Sequence, residues 1–103
     1  MKKTKTSNAR AFIERITGPL TFGSALRSIR LGEEVSLEKF AAQLSVSRGY
    51  LCDVELGRRR VSASKAAEWG RKLGYGEAQF VRLVLQDELD TANIDLRVSV
   101  SAA

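Results

Sequence analysis

From Thr21 to Leu89 the apolar residues fall in short blocks at three- and four-residue spacing, most of them opened by a serine or threonine. That spacing is the mark of helices with one buried stripe. One helix starts at Thr21, carries Phe22, Ala25, Leu26 and Ile29 on one face, and gives out near Gly32. Ser36 caps the next, with Glu38 in the first turn, where a negative charge suits the helix dipole. Its buried stripe is Leu37, Phe40, Ala41 and Leu44. After a break at Ser45–Val46, Ser47 caps a helix with Leu51, Val54 and Glu55 along one side, closed by Gly57. Ser62 or Ser64 starts a fourth, with Ala66, Ala67, Trp69, Gly70 and Leu73 inward. Gly74 and Gly76 bracket a turn into a last helix over 77–90, apolar at Phe80, Val81, Val84, Leu85 and Leu89. Segments this short are not stable alone and must pack on one another. The expected class is all-α, a five-helix bundle.

The two ends read differently. Residues 1–18 form a basic arm followed by a short amphipathic helix, capped by Ser7 or Asn8, apolar at Ala9, Phe12, Ile13 and Ile16, and ended by Gly18–Pro19. At the other end, Asn93 to Val100 alternates polar and apolar without a fault, which is strand periodicity with Ile94, Leu96, Val98 and Val100 on one face. A lone strand leaves its backbone groups unpaired and needs a partner. The economical partner is the same strand of a second subunit, antiparallel across a twofold axis, which makes these four residues dimerisation contacts of a homodimer. The competing reading is a frayed tail. The chain thus divides into 1–18, a domain over 19–75, and a dimerising unit over 76–103.

Composition bounds the function. The 103 residues are one domain's worth, and 44% hydrophobic with 28% charged is an ordinary globular balance. No apolar run approaches the roughly 18 residues of a membrane span, and residues 1–6 lack the apolar stretch of a secretory signal. With one cysteine there is no internal disulfide, so the expected location is cytoplasmic. The net charge of +5 is uneven: residues 1–75 carry 15 basic and 7 acidic side chains, and residues 76–103 carry 2 and 5. A basic body with an acidic tail suits a polyanionic partner, although a solvated surface explains the same counts. There is no histidine, which removes the commonest general base and zinc ligand together. No phosphate-cradling glycine loop is present, no metal-ligand cluster, and no Ser or Cys beside an evident base. The expectation is no enzyme, no cofactor and no metal.

The stretch Ser36 to Glu55, SLEKFAAQLSVSRGYLCDVE, carries the functional signal. It reads as two short helices joined by a tight turn, with small Ala41 allowing close approach and Leu44, Val46, Leu51 and Val54 filling the angle. That is the layout of a helix-turn-helix, whose second helix lies in the DNA major groove. Lys39 on the first helix and Arg58-Arg59-Arg60 after the second supply positive charge. The run Phe22-Gly23, Leu26-Arg27, Arg30, Ser36 to Ala41, Val46 to Leu51 and Val54 to Arg59, then Ser62, resembles the lambda-repressor-like (Cro-type, XRE) helix-turn-helix family over roughly residues 21–74.

The resemblance implies roles by position. Arg30 and Glu55 match a structural pair tying the first helix to the end of the recognition helix. Ser47, Arg48, Gly49, Tyr50 and Asp53 match the exposed face of that helix, and Ser36 and Lys39 its neighbouring DNA-facing positions. Arg48 is the candidate base reader, since a guanidinium can bond guanine O6 and N7 together; phosphate contact is the alternative. Arg58, Arg59 and Arg60 meet phosphates, and Ser47 and Tyr50 offer hydroxyls. Two positions depart from the family: Leu37 replaces a usual phosphate-clamping Gln, and Asp53 stands where a neutral polar residue is common. Asp53 either accepts from cytosine or orients a neighbouring arginine. Cys52 lies one residue off the buried line, with no adjacent base or resolving cysteine to support redox chemistry. Trp69 belongs to the core.

The function expected is a sequence-specific transcriptional regulator, a dimeric repressor at a palindromic operator on double-stranded DNA. The second reading is an antitoxin that binds a toxin protein and represses its own operon, using Ala9–Ile16 or an acidic surface of Asp87, Glu88 and Asp90.

Overall fold

Why four of the five helices among the described residues begin where they do is visible in one repeated device. The computed structural model describes residues 20–103, so the expected arm and helix over 1–18 lie outside the described residues. The elements are α1 (Phe22–Gly32), α2 (Leu37–Gln43), α3 (Arg48–Glu55), α4 (Ala63–Leu73) and α5 (Glu77–Thr91). Ser36, Ser47 and Ser62 each accept a hydrogen bond at Oγ from the backbone N–H three residues on, at 3.0–3.1 Å. Ser62, not Ser64, is therefore the cap of α4. At α1 the cap is reciprocal: Thr21 Oγ1 accepts from Ser24 N, and Ser24 Oγ accepts from Thr21 N at 2.9 Å. Each cap satisfies a donor that the helix leaves orphaned and is worth about 1 kcal/mol.

One continuous core takes side chains from every helix: Phe22 and Leu26, Phe40, Ala41 and Leu44, Leu51 and Val54, Ala66 and Trp69, Phe80 and Leu83, with Val61 from the α3–α4 loop. Trp69 is fully enclosed, as expected, and stacks near Phe22 at 6.2 Å between ring centroids. Phe80 meets the same Phe22 edge-on at 5.6 Å. Such aromatic pairs contribute beyond their buried area. Two glycines permit backbone-to-backbone packing. A Cβ on Gly23 would collide with the carbonyl oxygen of Val54, and one on Gly70 would lie 2.6 Å from the Gly76 carbonyl oxygen. The first seats α1 on the end of α3; the second seats α4 against the start of α5.

The inner face of α5 differs from the expected stripe. Phe80 and Leu83 are its buried residues, with Val84 packed beside them, while Val81, Leu85 and Leu89 are only partly covered. The third position of the true stripe, one turn beyond Leu83, is Asp87. Its Oδ2 accepts from the N–H of Phe22 at 2.9 Å, closing the N-terminus of α1 from a distance of 65 residues.

The C-terminal strand expected at Ile94, Leu96, Val98 and Val100 is corrected: the described residues contain no strand, and 94–103 run without regular structure. A strand exists only by a ladder to another strand, and the described chain holds none. The segment instead turns at Asn93, at φ 60°, and is held by one side chain. Gln86 Nε2 donates to the carbonyl of Leu96 at 2.9 Å, and Gln86 Oε1 accepts from the N–H of Val98 at 2.8 Å.

Candidate nucleic-acid interface

α2 and α3 are joined by a turn at 44–47. Within it the N–H of Val46 donates to the Ala41 carbonyl at 3.0 Å, and Ser45 takes the left-handed conformation at φ 61°. α3 sends Leu51 and Val54 into the core and leaves Arg48 and Gly49 exposed, with Tyr50, Cys52 and Asp53 partly covered. Its C-terminal end is fixed by Arg30 from α1. Arg30 Nε donates to Glu55 Oε2 at 2.8 Å and Nη2 to Oε1 at 3.0 Å, a two-pronged pair; Nη1 reaches the Val35 carbonyl at 3.3 Å. The Glu55 side chain is only 4% exposed and that of Arg30 13%. The hydrogen bonds to Glu55 push the Arg30 guanidinium above its already high value, outweighing the burial that pulls it down. Arg30 therefore stays charged, and the two-pronged pair fixes the direction of α3.

The outer surface of this support is cationic. Arg48 Nε lies 3.1 Å from Glu38 Oε2 across the turn, both side chains well exposed. Arg58 Nη1 lies 3.3 Å from Asp53 Oδ1, and the backbone N–H groups of Arg58 and Arg59 donate to the Asp53 carbonyl at 2.8 and 3.3 Å. Of the two expectations for Asp53, orienting a neighbouring arginine is the arrangement found here. The ring of Tyr50 rests edge-on against Trp69 at 6.4 Å between centroids. Over the same ring sit the Arg59 guanidinium, 4.9 Å from its centroid, and Lys65 Nζ, 5.7 Å away. The ring thus anchors two cations at the start of α4.

Arg60, Ser36 and Lys39 are exposed. The oxygens of Ser36 and Ser47 each accept a backbone N–H, and their O–H protons remain to be donated outward. The chain thus brings Ser47, Arg48, Asp53 and Arg58 together on and beside α3, with Tyr50 and Arg59 next to them.

Three contributors escaped the sequence reading. Lys65 was findable, being a cation in the first turn after the Ser62 cap. Glu38 as the partner of Arg48, and Gly23 as the seat of α3, depend on how helices cross, which no local pattern records. The acidic surface expected from Asp87, Glu88 and Asp90 is smaller than its sequence suggests. Asp87 is turned toward α1, and Asp90 Oδ1 accepts from Gln86 at 2.9 Å. Among the described residues no helix is long and apolar enough to cross a membrane. Compared with family models, with curated proteins and with solved structures, the chain matches none of them.

Proposed function

We propose that the chain is a sequence-specific DNA-binding regulator of the helix-turn-helix kind, working as a dimer that represses by occupying a promoter. One observation carries this reading. α3 is locked from behind by the buried Arg30–Glu55 pair and the Gly23 contact, while its outer face and flanking loop present Arg48, Arg58, Arg59 and Arg60 to solvent. A short helix held rigidly with an exposed, donor-rich face is what base-edge reading in a major groove requires. In this reading Arg48 reaches a base, while Lys39, Arg58, Arg59, Arg60 and Lys65 meet phosphates. Ser36, Ser47 and Tyr50 serve as hydroxyl donors, and Gly49 keeps bulk away from the groove. Two such faces on a twofold axis read half-sites about 34 Å apart.

Fluorescence anisotropy on DNA from upstream of the gene, against scrambled DNA of equal length and across a salt series, tests the proposal. A preference of about 10³ or more for the native fragment at physiological salt is expected. Equal, steeply salt-dependent binding to both would leave only a basic surface and overturn sequence reading.

A further inference from the structure

Among the described residues, the start of α1, the loop 57–63 and the second half of α5 enclose a groove of about 760 Å³. Val61 lies buried at its base, and Val84 and Leu85 of α5 line it only half-covered. Asp87, Glu88 and Asp90 line the α5 side, and among the described residues neither Glu88 nor Asp90 has an ion-pair partner. Two facts bring the chain ahead of α1 to this groove. Thr21 and Phe22 are part of its lining, and the Phe22 N–H is held there by Asp87. Leu20, one residue earlier, already packs against the core. The residues before it carry matching chemistry. At helical spacing Ala9, Phe12, Ile13 and Ile16 share one face, and Arg10 and Arg15 fall on its two flanks. Residues 1–19 hold five basic side chains and one acidic, Glu14.

We infer that residues 9–16 dock in this groove on their own chain as a short helix, with Phe12, Ile13 and Ile16 over Val61, Val84 and Leu85 and a flanking arginine on Glu88 and Asp90. Eight helical residues span about 12 Å and are unstable unless a neighbour covers their apolar face. Gly18–Pro19 stops the helix and leaves residues 17–19 as a tether to Leu20, with about 10 Å of reach when extended. That tether makes the docking intramolecular. The same segment of a second copy would meet the same groove only after losing the translational freedom that the tether removes in advance. Charge points the same way, since a strongly basic segment suits the carboxylates of α5. Arg60, on the loop side, is where Glu14 is accommodated. The docked segment braces the loop 57–63 against α5. This inference is independent of the DNA-binding reading, and its test involves no DNA.

The test uses the full chain carrying Cys52→Ser, so that no other thiol is present, and Leu85→Cys as a reporter in the groove. Its rate of alkylation by a small maleimide is compared with that of the same chain carrying Phe12→Ser and Ile16→Ser, circular dichroism confirming that both are folded. The serine pair is expected to speed alkylation at least about tenfold, because a thiol reacts only where reagent can reach it. Equal rates overturn the inference: both fast means an open groove, both slow means another cover. Cross-linking then identifies the occupant. Phe12→Cys, Ile13→Cys and Ile16→Cys are each combined with Leu85→Cys under mild oxidation and compared with Glu14→Cys, which lies off the apolar face. At least one of the three should close a disulfide within one chain about tenfold faster than Glu14→Cys, since only stripe residues come within disulfide reach of the groove. No preference for the stripe overturns the docking. Disulfides formed between chains instead of within one would seat a second copy's segment in the groove and overturn the intramolecular assignment.

Discussion

α3 is gripped by two arginine–glutamate pairs that share chemistry and differ in surroundings. Arg30 and Glu55 meet twice, at 2.8 and 3.0 Å, with the glutamate side chain 4% exposed. Arg48 and Glu38 meet once, at 3.1 Å, with both side chains more than half exposed. The buried pair is shielded from water and other ions, so its members hold the helix in place. The exposed pair is screened by water and salt and is worth little as a bond, so its arginine can be handed to another anion. The lesson is that burial, not the identity of the residues, separates a contact that fixes a helix from one that leaves its arginine available.

The largest effect should come from breaking the buried side of this comparison. Glu55→Ala leaves the Arg30 guanidinium buried without its counter-charge, and a loss of about 3–5 kcal/mol in unfolding free energy is expected. Urea melts of the two proteins measure it directly. A loss near that of an exposed pair would mean that Arg30 swings out to water and that α3 is held by packing alone. Arg48→Ala should do the opposite: stability within about 0.5 kcal/mol of the parent. The preference for one base position should nevertheless flatten by about 1–3 kcal/mol. If every DNA sequence is weakened equally, Arg48 is a phosphate contact and reads nothing.

How far the fold could be read from the chain follows the same division between near and far. The starts of α1 to α4 are set by a Ser or Thr and a backbone N–H three residues away, a wholly local bond, and the positions expected from spacing are the ones found. α5 was harder to read. Phe80, Val81, Leu83, Val84 and Leu85 put apolar groups around most of its circumference, so periodicity alone does not choose Leu83 as part of the buried face. Asp87 read as surface charge because its partner is a backbone group at the other end of the chain. The alternation over 93–100 points to a strand, and the described residues form none there. Alternation cannot say what supplies the hydrogen bonds, and here a glutamine side chain takes one edge. At the candidate interface the resemblance pointed to Arg30 with Glu55, while the Arg48–Glu38 contact exists only because α2 and α3 cross at the turn.

Asp87 offers a third case between the two pairs, a half-buried carboxylate whose bond is to a neutral N–H. Burial pushes its carboxyl above the ordinary aspartate value, and the Phe22 N–H opposes this only in part. A group with a raised folded value binds its proton more tightly folded than unfolded. Its contribution to stability is therefore fully present below the ordinary aspartate value and is lost as pH rises through the folded one. Asp87→Asn keeps an oxygen to accept from Phe22 and removes the titration. Its stability at neutral pH should lie within about 1 kcal/mol of the parent. On acidification through that window the parent should gain relative to the variant, as denaturant melts at neutral and acid pH would record. An unchanging difference would place Asp87 in water.

The smallest effect sharpens the exposed side of the comparison. Glu38→Gln removes the charge that engages Arg48 and keeps a side chain of the same shape in the first turn of α2. The lost ion pair is exposed, and so is the lost interaction with the helix dipole. Together they should cost only a few tenths of a kcal/mol in urea melts. On DNA the change should be favourable: Arg48 no longer has to leave a carboxylate, and one negative charge is removed from the surface that faces phosphates. Binding should tighten by about threefold on specific and scrambled DNA alike, and more at low salt than at high salt, because the gain is electrostatic. Anisotropy titrations at two salt concentrations read it. A drop in sequence preference instead, with affinity for scrambled DNA unchanged, would show that Glu38 aims Arg48 at its base. The exposed pair would then share, in weaker form, the positioning role of the buried one.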